Sequence, residues 1–183
     1  MKPTNPLSSV VQLLDSISEW TGRGISWLTL AMVFVTFIIV VMRYLFNVGN
    51  VALQESVVYM HSFVFLLGAA YTLKHDGHVR VDIFYRPMSE KGKAIVNILG
   101  TLVLLIPVTS FILWMSWDYV ATSWSLLESS QEAGGLEYRY ILKSALIVMP
   151  VLMLLQATSE LLRNIMVLTS GGHLLPEEEE HGI

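Results

Sequence analysis

The chain has 183 residues, is 54% hydrophobic and only 14% charged, and contains no cysteine. A soluble domain averages about 25% charged residues, so this charge deficit and the mean hydropathy of +0.58 exclude disordered and collagen-like chains. The missing cysteine excludes disulfide scaffolds, iron–sulfur clusters and thiol nucleophiles, and a net charge of −4 with a pI near 5.7 leaves no basic patch for nucleic acid.

Residues 8–23 form the first element. Val10, Leu13, Leu14, Ile17 and Trp20 recur at helical spacing on one face, and Gln12, Asp15, Glu19 and Arg23 line the other. Ser9 and Gln12, just after Pro6, have the spacing of a capping box. An amphipathic helix directly before a membrane span is expected to lie in the cytoplasmic interface. Its lack of lysine makes lipid electrostatics a poor explanation, and packing on a partner is the alternative.

A membrane helix needs about 20 mostly apolar residues to cross about 30 Å of hydrocarbon. Residues 25–42 are 18 residues without a charge, and the segment continues past Arg43 to Phe46. Residues 51–73 are 23 residues with one acid, Glu55, and residues 94–117 are 24 uncharged residues. Residues 144–159 are 16 uncharged residues, continued by 161–168 around Glu160 and Arg163. The expected fold is therefore all-α: a four-helix membrane domain over 24–168, with spans at about 24–46, 51–73, 94–117 and 143–168. The first span starts too late and runs too long for a cleaved signal, so it is expected to anchor the chain. Gly68-Ala69-Ala70 is a small-residue patch that lets helix backbones approach. Pro107 and Pro150 fall inside the third and fourth spans and are expected to kink them. Residues 169–183, with glutamates at 177–180, read as an acidic, disordered tail.

Cytoplasmic loops carry excess Lys and Arg. With the N-terminus inside, eight basic residues (Lys2, Arg23, Lys74, Arg80, Arg86, Lys91, Lys93, Arg163) fall on the inner side and three (Arg43, Arg139, Lys143) on the outer. Both termini are therefore expected in the cytoplasm. Aromatic belts agree: Trp20 and Trp27 fall near the inner boundary, and Tyr44, Trp114, Trp117, Tyr119, Tyr138 and Tyr140 near the outer one.

Charged residues inside a span are functional candidates. Arg43 and Glu55 lie about one turn inside the outer ends of spans one and two, which a short turn makes antiparallel neighbours. Three readings stand open: separate snorkelling to the headgroups, a mutual ion pair or bonds to a partner, and an ion relay, which would want acids near midplane. His61 is the one histidine deep in a span, where haem would want a second axial ligand; a hydrogen-bonded core histidine is expected. His75, His78 and Asp82 lie in the loop between spans two and three, and His78 and Asp82 have a helical metal-ligand spacing, but no fourth ligand follows. Asp82 is expected to meet a nearby base. No nucleophile triad, phosphate loop or paired midplane carboxylate is present, so no catalytic, cofactor or metal residue is assigned.

Arg43-Tyr44-Leu45-Phe46-Asn47, Glu55, Gly68-Ala69-Ala70-Tyr71 and Gly77-His78-Val79-Arg80-Val81-Asp82 together resemble the small membrane subunit (DctQ-like) of tripartite ATP-independent periplasmic (TRAP) transporters, over about residues 10–168. Glu128-Ser129-Ser130, Gly134-Gly135-Leu136, Lys143, Pro150 and Gln156 look like one branch of that family. The resemblance implies a four-helix scaffold in the bacterial inner membrane. Its partners would be a large polytopic membrane subunit and a periplasmic solute-binding protein, in secondary transport of an organic acid on an ion gradient without nucleotide. It makes Arg43, Glu55, His78 and Asp82 candidate structural or subunit-interface residues. The other class open to a four-helix chain is a membrane anchor or assembly subunit of a respiratory or signalling complex.

Overall fold

A computed structural model describes residues 6–79 and 82–169. The acidic tail expected over 169–183 falls, from residue 170 on, outside the described residues.

Helix α1 runs from Pro6 to Leu45, 40 residues without a break. It joins the amphipathic stretch and the first span into one rod about 60 Å long at 1.5 Å per residue. Residues 6–8 are already helical, so Ser9 lies within α1 and is no cap. The chain turns through Asn47, at φ 54°, a value that asparagine tolerates. Asn50 then caps α2 (Val51–Leu67), its side-chain oxygen accepting from the Leu53 N–H at 3.0 Å. Gly68 separates α2 from α3 (Ala69–Lys74). A single turn, α4 (Asp82–Tyr85), precedes α5 (Glu90–Gly100), which Ser89 caps through the Gly92 N–H.

The third span is continuous with α5. A π-helical turn, Thr101–Leu105, leads into α6 (Ile106–Ser125). Its position follows from Pro107, which has no N–H and whose ring would strike the carbonyl of Val103 in a regular α-helix. The wider turn, closed by the Ile106 N–H on the Thr101 carbonyl, makes room for that ring. Pro150 is instead absorbed inside the last helix, α7 (Arg139–Thr169), where it is fully buried.

Four helical rods, Leu7–Leu45, Val51–Lys74, Glu90–Ser125 and Arg139–Thr169, are long and apolar enough to cross a membrane. α7 is central: it packs on α1, α2, α3, α5 and α6. Most of what is buried is small or polar, including Ala70, Ala94, Ala145, Ala157, Ser18, Thr109, Ser123, Ser159 and Gln156, with Pro150, Met153, Met166, Val11 and Val120 the larger apolar residues inside. Phe34, Phe37, Phe65, Leu104 and Trp114 face outward at 60–75% exposure. Hydrocarbon does not drive large side chains inward, and small residues let helices approach, so this inside-out distribution suits a bilayer. Among the described glycines the tightest approach is at Gly22, where a Cβ would stand 2.3 Å from Cδ2 and 2.4 Å from Cγ of Tyr71. The small-residue patch of span two sits beside this contact, with Ala70 2% exposed.

Candidate functional site

The polar groups gather at the two ends of the bundle. At one end lie the N-terminus of α1, the C-terminus of α7 and the α3–α5 connection. At the other lie the turn after α1 and the loop between α6 and α7.

At the terminal end, Asp15 and Glu19 stand one turn apart on one face of α1. Asp15 Oδ1 accepts from the Ser159 hydroxyl at 2.6 Å and the Gln156 amide at 3.1 Å, and Oδ2 pairs with Arg163. Ser18, 1% exposed, donates to Gln156 Oε1 at 2.6 Å, and Arg163 also reaches Glu160 at 3.3 Å. Glu19 holds Lys74 at 2.6 Å, Arg23 at 2.7 Å and His75 at 2.9 Å. A carboxylate withdrawn from water must be paired, and here the pairing welds α1 to α7 and to the end of α3. Between α4, α5 and α7, Tyr85 donates to Asn97 at 3.1 Å, and Asn97 donates to Asn164 at 3.3 Å.

At the loop end, Glu55 reaches across from α2. It accepts from the Ser130 hydroxyl and, at 2.7 Å, from the Leu136 N–H. Ser130 N–H in turn bonds the Leu136 carbonyl at 2.8 Å. The two glycines here serve different ends. Gly134 adopts φ +77°, where a side chain is strained. Gly135 leaves space, since its Cβ would meet Ser130 Oγ at 2.5 Å and Glu55 Oε2 at 2.7 Å. Glu128 accepts from Ser123 at 2.7 Å, pairs with Lys143 and lies 3.6 Å from Arg139. The Lys143 ammonium and the Ser123 hydroxyl hold the Glu128 carboxyl below the usual carboxylate range. Lys143 also sits 3.9 Å over the Tyr119 ring. Trp124 donates to Ser144 at 2.8 Å and meets Tyr140 edge-on at 4.7 Å.

The residues singled out from sequence are dispersed. No ion pair joins Arg43 to Glu55 among the described residues: Glu55 turns to the loop, while Arg43 is exposed beside Met42, Val48, Asn50 and Gln54. His78 is exposed in the turn after α3, and Asp82 opens α4. His75 belongs to the Glu19 cluster instead. His61 is not the core histidine expected: it shares the outward face of α2 with Val58 and Phe65 and is exposed. Asp15 and Glu19, placed by sequence on the face opposite the apolar stripe, are the inward-facing pair. A signal was present in the spacing of Gln156, Ser159, Glu160 and Arg163, which fall on one face of α7, three of them binding Asp15.

Residues 32–166 match the family described as Tripartite ATP-independent periplasmic transporters, DctQ component. The chain belongs to the DctQ family. Its members are transporter components, and the four spans make this one a multi-pass membrane protein. The chain is also similar to the C4-dicarboxylate TRAP transporter small permease protein DctQ of Vibrio cholerae serotype O1, at 38% identity over 76 residues. That stretch is 42% of this chain and 32% of the relative. No solved structure matches the chain. The motifs that carry the resemblance now have structural reasons: Gly134-Gly135-Leu136 and Ser130 build the seat for Glu55, and Gln156 is the buried partner of Asp15.

Proposed function

We propose that this DctQ family member is the scaffold subunit of a TRAP-type secondary transporter, one that carries out no reaction of its own. It would work with a large membrane subunit and a periplasmic solute-binding protein to import an organic acid on an ion gradient. The observation that carries this reading is where the acids are spent. Asp15, Glu19, Glu55 and Glu128 each tie one segment of the bundle to another, the use expected of a rigid frame. Both termini lie in the cytoplasm of the bacterial cell on the basic-residue asymmetry, with the Glu55 loop on the periplasmic face. Residues 8–23 then extend the first span at the inner interface. Glu55 is structural through its loop, while Arg43 and His78, both exposed, are candidates for contact with other subunits, and Asp82 for ordering the inner loop.

Two measurements test the reading. Reporter fusions at residue 183 and within the loop between α6 and α7 should report opposite sides of the membrane; a shared side overturns the topology. Proteoliposomes should take up a labelled C4-dicarboxylate or another organic acid, driven by a sodium or proton gradient, only when the large subunit and the binding protein are present. The C4-dicarboxylate is chosen because the Vibrio relative is a C4-dicarboxylate TRAP transporter small permease. Gradient-driven uptake by the isolated chain overturns the scaffold role.

A further inference from the structure

The connection between spans two and three turns apolar side chains away from the protein. From residue 83 to 93 it reads Ile-Phe-Tyr-Arg-Pro-Met-Ser-Glu-Lys-Gly-Lys. Tyr85 faces the bundle: it donates to Asn97 of α5, which donates in turn to Asn164 of α7. Ile83 and Phe84, in the same helical turn, are 82% and 72% exposed. Two adjacent large apolar side chains held out in this way gain free energy from any cover that excludes water.

Two observations say what covers them. The first is depth. Asn97 lies seven residues past Glu90, where α5 begins, about 10 Å along the axis, and inside the uncharged stretch 94–117. The bond from Tyr85 therefore folds α4 back beside the opening turns of the third span, at the level where headgroups meet acyl chains. The second is charge. Arg86, Lys91 and Lys93 stand in this stretch against one acid, Glu90, which is already paired with Lys93 at 2.9 Å. Arg86 and Lys91 are exposed. An apolar tip flanked by cations is the composition of an interfacial anchor, and a leaflet with anionic lipids supplies hydrocarbon and phosphate at one level. A protein partner would need an apolar pocket rimmed by acids at that same depth.

Resting on the topology proposed above, we propose that α4 is an interfacial anchor for anionic lipid: Ile83 and Phe84 enter the cytoplasmic leaflet, and Arg86 and Lys91 hold lipid phosphates. Tyr85 sets the height of the anchor, because its bond to Asn97 fixes α4 against α5. The anchor ties the inner ends of spans two and three to the membrane surface, a task separate from the ion pairs that weld α1 to α3 and α7.

The chain contains no cysteine, so a single one can be placed at will. The full chain carries an environment-sensitive fluorophore on Ile83→Cys, with Val103→Cys in the third span and Glu132→Cys in the loop after α6 as references. It is read in nanodiscs of phosphatidylcholine, or of an equal mixture with phosphatidylglycerol. The probe at 83 should be quenched by lipid spin-labelled near the headgroup and shielded from aqueous acrylamide. A reading like that at 132 overturns the anchor while the scaffold reading survives. Adding Phe84→Ser should expose the probe; a probe that stays seated is held by its own fluorophore, which also overturns the anchor. Lys91→Gln should lower the ratio of seated to free probe roughly fivefold in the mixed discs and leave it unchanged in phosphatidylcholine. Equal loss in both overturns the role of anionic lipid. Binding of the large subunit should leave the quenching by lipid in place; its loss makes that subunit the occupant and overturns the proposal. Labelling of the cysteine from outside intact cells overturns the topology, and with it the leaflet assigned, while the depth read in nanodiscs stands.

Discussion

At the terminal end of the bundle, acids bind other helices: Asp15 and Glu19 of α1 meet partners 55 to 148 residues away in sequence. At the loop end, acids bind a loop: Glu55 and Glu128 take hydroxyls, a backbone N–H and the first turn of α7. The same side-chain chemistry therefore does two jobs. Opened at the terminal end, the rods lose their mutual register; opened at the loop end, only the cap on the rods is released.

That contrast predicts its largest effect at Asp15. Asp15→Ala removes the acceptor shared by Ser159, the buried Gln156 and Arg163, with Glu160 alone left to the last two, and should cost about 3 kcal/mol, seen as early unfolding of the detergent-solubilised subunit. Exposed Asp118 is the control, and its removal should fall within about 0.5 kcal/mol. Equal, small losses at both would mean that the terminal cluster does not hold the rods together.

Gly135→Ala should act at the other end and act locally. The new methyl has no room beside Ser130 and Glu55, so the loop should come away and be cut faster by protease, with global unfolding little changed. If the whole subunit unfolds earlier instead, the two ends are not separable units.

The smallest effect is a pH response confined to the loop. Glu128 is held below the ordinary carboxylate value, so folding favours its charged form. That contribution is complete above about pH 4.5, the unperturbed value, and fades as pH falls through the lowered one. Amide exchange in the loop, corrected for intrinsic rates, should quicken on going from pH 6 to pH 3. Glu128→Gln should be loosened alike at both. A response that survives in Glu128→Gln would mean that Glu128 is not the group responsible.

The four spans were legible because hydrocarbon thickness imposes a length on any chain that crosses it. The ends were less so. Residues 8–23 divide cleanly into an apolar and a polar face, and in a soluble protein the apolar face would pack inward. Here Leu13, Ile17 and Trp20 look out at 64%, 37% and 75% exposure, and Asp15 and Glu19 look in. A helix periodicity gives the two faces but not which one meets the neighbour, and that choice was made by polar groups on α7, more than 130 residues further on. For Glu55 the sequence left snorkelling, pairing and an ion relay open; in the structure it accepts from groups of the long loop and not from the nearer Arg43. The seat that Ser130, Gly135 and Leu136 make for it depends on backbone geometry that residue types alone do not display.

The approach of Tyr71 to Gly22 bears on how this sequence can change through descent. With no space for even a methyl group on α1 at that point, the two positions are tied as a pair: a relative that carries alanine or serine at 22 has to have lost the aromatic ring at 71, or to have moved its helices apart. Substitutions at these two sites should therefore be found together across homologues. The double change should also be tolerated where Gly22→Ala alone is not, so that one route between the two sequences passes through Tyr71 first.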